Sequence, residues 1–125
     1  MPLRTVLRIA WVAGVILVIA GSLLPGDSTA IQALDRLDIS DKIQHFASYA
    51  VLGLLPALHE GRRTVMILAL CVVGLGVLLE FGQLLSPGRD FEILDMVADT
   101  GGVCIGVAAG WLFRGRAARR YRTEP

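Results

Sequence analysis

Four apolar stretches dominate this chain, at 6–24, 40–58, 64–85 and 93–113. Each comes close to the roughly 20 residues a helix needs to cross the ~30 Å hydrocarbon core of a bilayer. A soluble fold offers no home for them. With 125 residues the chain makes one domain at most, and so small a domain keeps much of its surface exposed. A composition of 54 % hydrophobic and 18 % charged residues, with mean hydropathy +0.64, therefore calls for lipid as the solvent. The second stretch is the weakest, because Asp41, Lys42 and His45 occupy its first turns.

Charge placement orients the spans, since Lys and Arg are enriched in cytoplasmic loops. Arg4 and Arg8 precede the first stretch, and Arg62 and Arg63 separate the second from the third. Arg114, Arg116, Arg119, Arg120 and Arg122 follow the fourth. Of the 12 Lys and Arg residues only Arg36, Lys42 and Arg89 fall on the other side, diluted by Asp27, Asp35, Asp38, Asp41, Asp90 and Glu92. This alternation requires the second stretch to span. The expected fold is all-α: a polytopic four-helix transmembrane bundle over 1–113, then an arginine-rich cytoplasmic tail over 114–125. Both termini lie in the cytoplasm. A competing reading makes the first stretch a signal peptide cleaved near Ala20-Gly21-Ser22, which leaves the other three orientations unchanged.

Pro25-Gly26-Asp27 ends the first helix, and Asp38 or Ser40 can cap the second. Between them, 30–37 suits a short amphipathic helix with Ile31, Leu34 and Leu37 on the membrane surface. Ser86-Pro87-Gly88 breaks the third helix. Cys71 and Cys104 lie in apolar runs without metal-ligand spacing and read as small hydrophobes. The tail reads as an anchor to anionic head groups, not as a nucleic-acid site. No metal site or cofactor is expected, and an oligomer is compatible with so small a bundle.

Ionisable groups inside a membrane cost at least ~2.5 kcal/mol each at its centre, so they face cavities or one another. At the helical rise His45 lies roughly 7 Å inside the second helix, and Glu80 roughly 7 Å before the outer end of the third. Asp95 and Asp99 occupy the first two turns of the fourth. Three helices thus deliver acids and a histidine to one level near the outer face. Asp41, His45 and Tyr49 share a stripe, as do Glu80 with Gln83, and Asp95 with Asp99. Deeper, Gly102, Gly106 and Gly110 repeat every four residues, the spacing that lets membrane helices approach closely. A bland account is open for each: Lys42 snorkels, Asp95 meets the helix dipole, and Lys42 or Arg89 pairs with Glu80 and Asp99 in a structural network.

In this order and spacing, Asp41-Lys42, His45, Tyr49, Glu80, Gln83, Pro87-Gly88-Arg89, Asp95, Asp99, Gly102 and Gly106 resemble the VanZ-like family of small bacterial membrane proteins. One departure is Asp99, where many members have Asn; it removes an amide and adds a negative charge. The family is named for an accessory factor in low-level resistance to the glycopeptide teicoplanin. The resemblance therefore implies a role at the cell envelope, in the inner membrane, without fixing a reaction. The favoured reading is an outward-facing polar site formed by Asp41, Lys42, His45, Tyr49, Glu80, Gln83, Arg89, Asp95 and Asp99. It binds an anionic envelope component, such as a lipid-linked precursor, a phospholipid or a glycopeptide. An alternative is an intramembrane enzyme acting on a phosphate-bearing lipid, with His45 as acid or base and Glu80, Asp95 and Asp99 orienting it or holding a divalent cation. A purely structural protein, or a transporter, comes behind these.

Cysteine labelling checks the orientation in a background lacking Cys71 and Cys104. Cysteine at Thr29 or Ser86 is expected to react with an impermeant thiol reagent added outside; cysteine at Arg62 or Arg119 is expected not to.

Overall fold

The computed structural model describes residues 1–123, and the side chains of residues 1–120; residues 124–125 and the Arg122 side chain lie outside the description. Five helices follow in order: α1 (Leu3–Leu23), α2 (Thr29–Asp35), α3 (Asp41–His59), α4 (Arg62–Gln83) and α5 (Ile93–Thr123). The four long ones run alternately up and down. α1, α4 and α5 are long and apolar enough to cross a membrane, α5 through Ile93–Arg120; α3 does not reach that hydropathy because of its polar first turns. α2 is the short helix expected between the first two, capped by the Ser28 side chain accepting from the Ile31 N–H. No break occurs at residue 113: α5 is one helix of 31 residues, about 46 Å at the helical rise.

The outer surface of the bundle is apolar. Ile16, Leu17, Leu70, Leu78 and Ile105 all point away from the protein, and no residue of α1 is buried. Cys71 and Cys104 are free thiols on this same surface. Inside lies a small core of Tyr49, Leu52, Ala57, Val65, Val72, Val103 and Val107, with α3 between the other helices.

The closest contact in the molecule is between α3 and α5, and glycine creates it. A Cβ on Gly102 would overlap the Phe46 carbonyl oxygen, and one on Gly106 the Ala50 carbonyl oxygen. A Cβ on Gly110 would overlap the Ala57 methyl, and from the opposite helix one on Gly53 would overlap the Val103 carbonyl oxygen. The expected row on α5 thus faces α3, whose own glycine and alanines complete a backbone-to-backbone seam.

Backbone groups freed at helix ends and kinks find specific partners. Pro56 inside α3 has no N–H for the Leu52 carbonyl one turn earlier, and Trp11 Nε1 of α1 donates to that oxygen at 2.9 Å. The last carbonyls of α1 are taken by the α4–α5 connection. Gln83 donates to Ser22 at 3.3 Å, Ser86 to Leu23 at 3.0 Å, and Arg89 to Gly21 at 2.7 Å and Leu24 at 3.2 Å. Gly26 seats against Gly88, whose φ of +70° only glycine adopts without strain, and the Gly26 N–H donates to Pro87 at 3.0 Å. At the far end of the bundle, Arg114 donates to the carbonyls of Ala57 and Glu60. The buried Glu60 carboxylate accepts from Arg4 and from Arg8, each at 2.7 Å.

Two outcomes follow from this packing. Gly106→Leu forces the seam apart; a loss of stability at or above the about 1–3 kcal/mol of ordinary overpacking is expected, read as a lowered melting temperature in detergent. Hydrogen bonds from Arg4 and Arg8 hold the Glu60 carboxyl down to about 2 from its usual 4.5. A depressed carboxyl contributes stability that is complete above pH 4.5 and is lost as pH falls towards about 2. The stability gap between wild type and Glu60→Gln is accordingly expected to close across that window in acid titrations of the melting temperature.

Candidate functional site

The site lies at the end of the bundle where α1 and α4 finish and α3 and α5 begin. The α3–α5 seam sets which residues meet there. With Phe46 and Ala50 fixed against Gly102 and Gly106, the turn above brings His45 to Asp99 and Lys42 to Asp95. His45 Nδ1 lies 2.8 Å from Asp99 Oδ1. With Asp99 a carboxylate, Nδ1–H is the donor and the ring is held in one orientation. Nε2 then points between Asp95 at 3.8 Å and Asp41 at 3.9 Å. The imidazole is parallel to the Tyr49 ring one turn below, with centroids 6.5 Å apart.

Lys42 sits on Asp95, its Nζ 2.7 Å from Oδ1, and also pairs with Glu92. The Asp95 Oδ1 contact is one of charge without hydrogen-bond geometry. Glu80 is 1 % exposed, Asp99 2 % and Asp95 3 %, so three carboxyl groups are withdrawn from water within one cluster. Glu80 Oε2 accepts the Glu92 backbone N–H at 3.1 Å, which ties the acid of α4 to the chain entering α5. Burial of this kind is costly unless each charge keeps a partner.

Beside the cluster opens a cavity of about 190 Å³. Leu17 and Val18 of α1 with Ile31 and Leu34 of α2 form its apolar wall; Ser22, Asp35, Asp41, Gln44, His45, Ser48, Gln83 and Arg89 supply its polar lining. His45 belongs to both cluster and cavity. Arg89 reaches the cavity while held by the carbonyls of Gly21 and Leu24, and it makes no ion pair among the described residues.

The sequence reading brings Asp41, Lys42, His45, Tyr49, Glu80, Asp95 and Asp99 to one place, and the structure assembles them there. Gln83 and Arg89 enter differently, as caps on α1 whose side chains also line the cavity. The pairing of Lys42 or Arg89 with Glu80 and Asp99 does not form. Lys42 goes to Asp95 and Glu92, Asp99 to His45, and Glu80 to a backbone N–H. Two participants escaped the sequence reading. Glu92 gave no signal, being one more loop acid. Gly76 on α4 makes room for the site: a Cβ there would come to 2.9 Å from Asp99 Oδ2 and 3.2 Å from the Tyr49 hydroxyl. The favoured reading assigns no metal, and the enzyme alternative gives a divalent cation to Glu80, Asp95 and Asp99; among the described residues the sets Asp41–His45–Asp95 and His45–Glu80–Asp99 bring donor atoms within 4.8 Å of one another. Their oxygen and imidazole donors suit a divalent ion of the kind the enzyme alternative invokes.

The VanZ/LLP1 family model matches residues 3–114, nearly the whole chain and all of the site. No curated protein matches, and neither does any solved structure.

The Lys42–Asp95 pair is directly testable. Lys42→Met strands a buried carboxylate and is expected to lower the melting temperature; adding Asp95→Asn is expected to restore most of the loss. A double-mutant cycle on thermal unfolding measures a coupling of about 2 kcal/mol if the pair is the partner assignment that matters.

Proposed function

The chain belongs to the VanZ/LLP1 family, and on that footing we propose that it is a four-span protein of the bacterial inner membrane that binds an anionic, lipid-bearing envelope component from the outer side. Three helices are long and apolar enough to cross. The fourth crossing is assigned to α3, whose 19 residues reach about 28 Å and which lies between the other helices. Both termini are then cytoplasmic, as the arginine distribution requires, and α2 lies at the outer surface over the cavity. The bond from Trp11 to α3, and those from Gln83 and Arg89 to the carbonyls of Ser22 and Gly21, favour a retained α1 over a cleaved one.

One observation carries the ligand class. Arg89, held on carbonyls and making no ion pair among the described residues, lines a cavity that also has an aliphatic wall, and it is the cation there that can answer an anionic head group beside Asp35 and Asp41. A phosphate- or carboxylate-bearing head group with an attached chain matches both walls, and Gln83 and His45 supply further polar contacts. A lipid-linked precursor, a phospholipid and an acylated glycopeptide all have this amphiphilic form. The last connects the site to the teicoplanin resistance for which the VanZ-like family is named.

A second reading, an enzyme acting on the phosphate of such a lipid, is favoured by the His45–Asp99 hydrogen bond. A buried carboxylate on Nδ1 leaves Nε2 available as acid or base towards bound ligand, and Glu80 with Asp99 can share a divalent ion with the imidazole. Turnover abolished by chelation would separate this reading from simple binding.

Glycopeptide susceptibility of cells, with melting temperature in detergent measured in parallel, tests the binding site. His45→Ala and Arg89→Gln are expected to abolish any protection given by the wild type while the folded fraction persists. Early melting of His45→Ala, with the residual folded protein fully protective, would make the cluster scaffolding alone.

A further inference from the structure

The opposite end of the bundle holds a second cavity, of about 300 Å³, between α1, α3 and α4. Its wall is apolar, made by Trp11 and Val12 of α1, Pro56 of α3 and Leu68 of α4. Such a space, with no polar partners along its depth, is unsuited to ordered water. At its mouth stand Arg8, His59, Glu60 and Thr64.

Charge at that mouth is unbalanced. Among the described residues that line it the one carboxylate, Glu60, faces Arg4, Arg8 and His59 together. The Arg4 and Arg8 side chains remain 58 % and 57 % exposed despite their contacts with it. α4 starts at the same place. Its N-cap, Gly61, has no side chain to accept from the free N–H groups, and its first turn contains no acid. That turn instead carries Arg62 and Arg63, both exposed, where the helix dipole disfavours cations. Arg62 is placed over the Trp111 ring, 5.3 Å from its centroid. An anion at this mouth would meet the surplus guanidinium charge, the Thr64 hydroxyl and the first-turn N–H groups at once.

We propose that this cavity holds one acyl chain of an anionic phospholipid, whose phosphate sits at Arg8 and the first turn of α4. A free phosphate ion would answer the charge but leave the apolar space unfilled, so the ligand is a lipid of the adjoining leaflet. The inference goes beyond the proposal for the outer cavity and is independent of it; it rests only on the reading of the chain as membrane-spanning, which the cysteine labelling tests separately.

Native mass spectrometry of the full chain released from mild detergent, titrated with phosphatidylglycerol or phosphatidylcholine, provides the test. One phosphatidylglycerol per chain is expected to be retained, with about a tenfold preference over phosphatidylcholine. Val12→Trp fills the cavity and leaves every charge in place; it is expected to remove that retention, as is Arg8→Ala. His45→Ala, at the other end, is expected to keep it. Equal retention of the two lipids would overturn the proposal. So would unchanged retention in folded Val12→Trp, competition by inorganic phosphate alone, or a loss in His45→Ala that assigns the lipid to the outer cavity. If Arg8→Ala does not fold for want of its Glu60 contact, Val12→Trp decides.

Discussion

The rest of this structure depends on one close approach: the backbones of α3 and α5 meet directly at Gly53, Gly102 and Gly106, and at Gly110 only the Ala57 methyl lies between them. In a bilayer, apolar side chains gain little by leaving lipid for protein, so helix association rests on packing and polar contacts. A seam of glycine carbonyl contacts supplies the packing and admits one register only. That register places His45 against Asp99 and Lys42 against Asp95 one and two turns further along. The polar cluster is thus positioned by the apolar half of the bundle, and the two halves are mechanically one device.

A second constraint operates on the backbone. Away from water every freed carbonyl needs a donor. Trp11 supplies the one that Pro56 withholds from Leu52, and Gln83, Ser86 and Arg89 between them serve the end of α1. These contacts explain why α1, with no buried residue, is nevertheless joined to the bundle at several heights. They also show how one side chain serves two purposes. Arg89 fastens α1 through the Gly21 and Leu24 carbonyls and also lines the cavity, where it makes no ion pair among the described residues.

Much of this was readable in the sequence because bilayer thickness converts residue counts into depth. Counting from the helix ends brings His45, Glu80, Asp95 and Asp99 to one level, and the four-residue spacing of Gly102, Gly106 and Gly110 identifies a packing face. What sequence did not reveal depends on direction, not depth. Glu92 and Arg89 lie in a connection whose path is fixed only when Gly26 meets Gly88, so their partners could not be counted out. Gly53 is the lone glycine of α3 and Gly76 one of three in α4 without a four-residue repeat, and their meaning appears only when Val103, Tyr49 and Asp99 arrive opposite them. Glu60 lies between the second and third apolar stretches, and only the approach of Arg4 and Arg8 from a distant segment makes it a buried tie. α3 itself has the low hydropathy of a helix whose first turns serve the site.

The central claim, that the glycine seam holds His45 on Asp99, is tested most directly by nitrogen NMR of the His45 ring in wild type and in Gly102→Ala. A methyl group at Gly102 meets the Phe46 carbonyl, next to His45, and leaves both members of the pair unaltered. The account predicts a wild-type Nδ1 resonance of a hydrogen-bonded N–H, and a clear shift of that resonance when the seam is forced open. An identical His45 spectrum in a folded Gly102→Ala protein would contradict it.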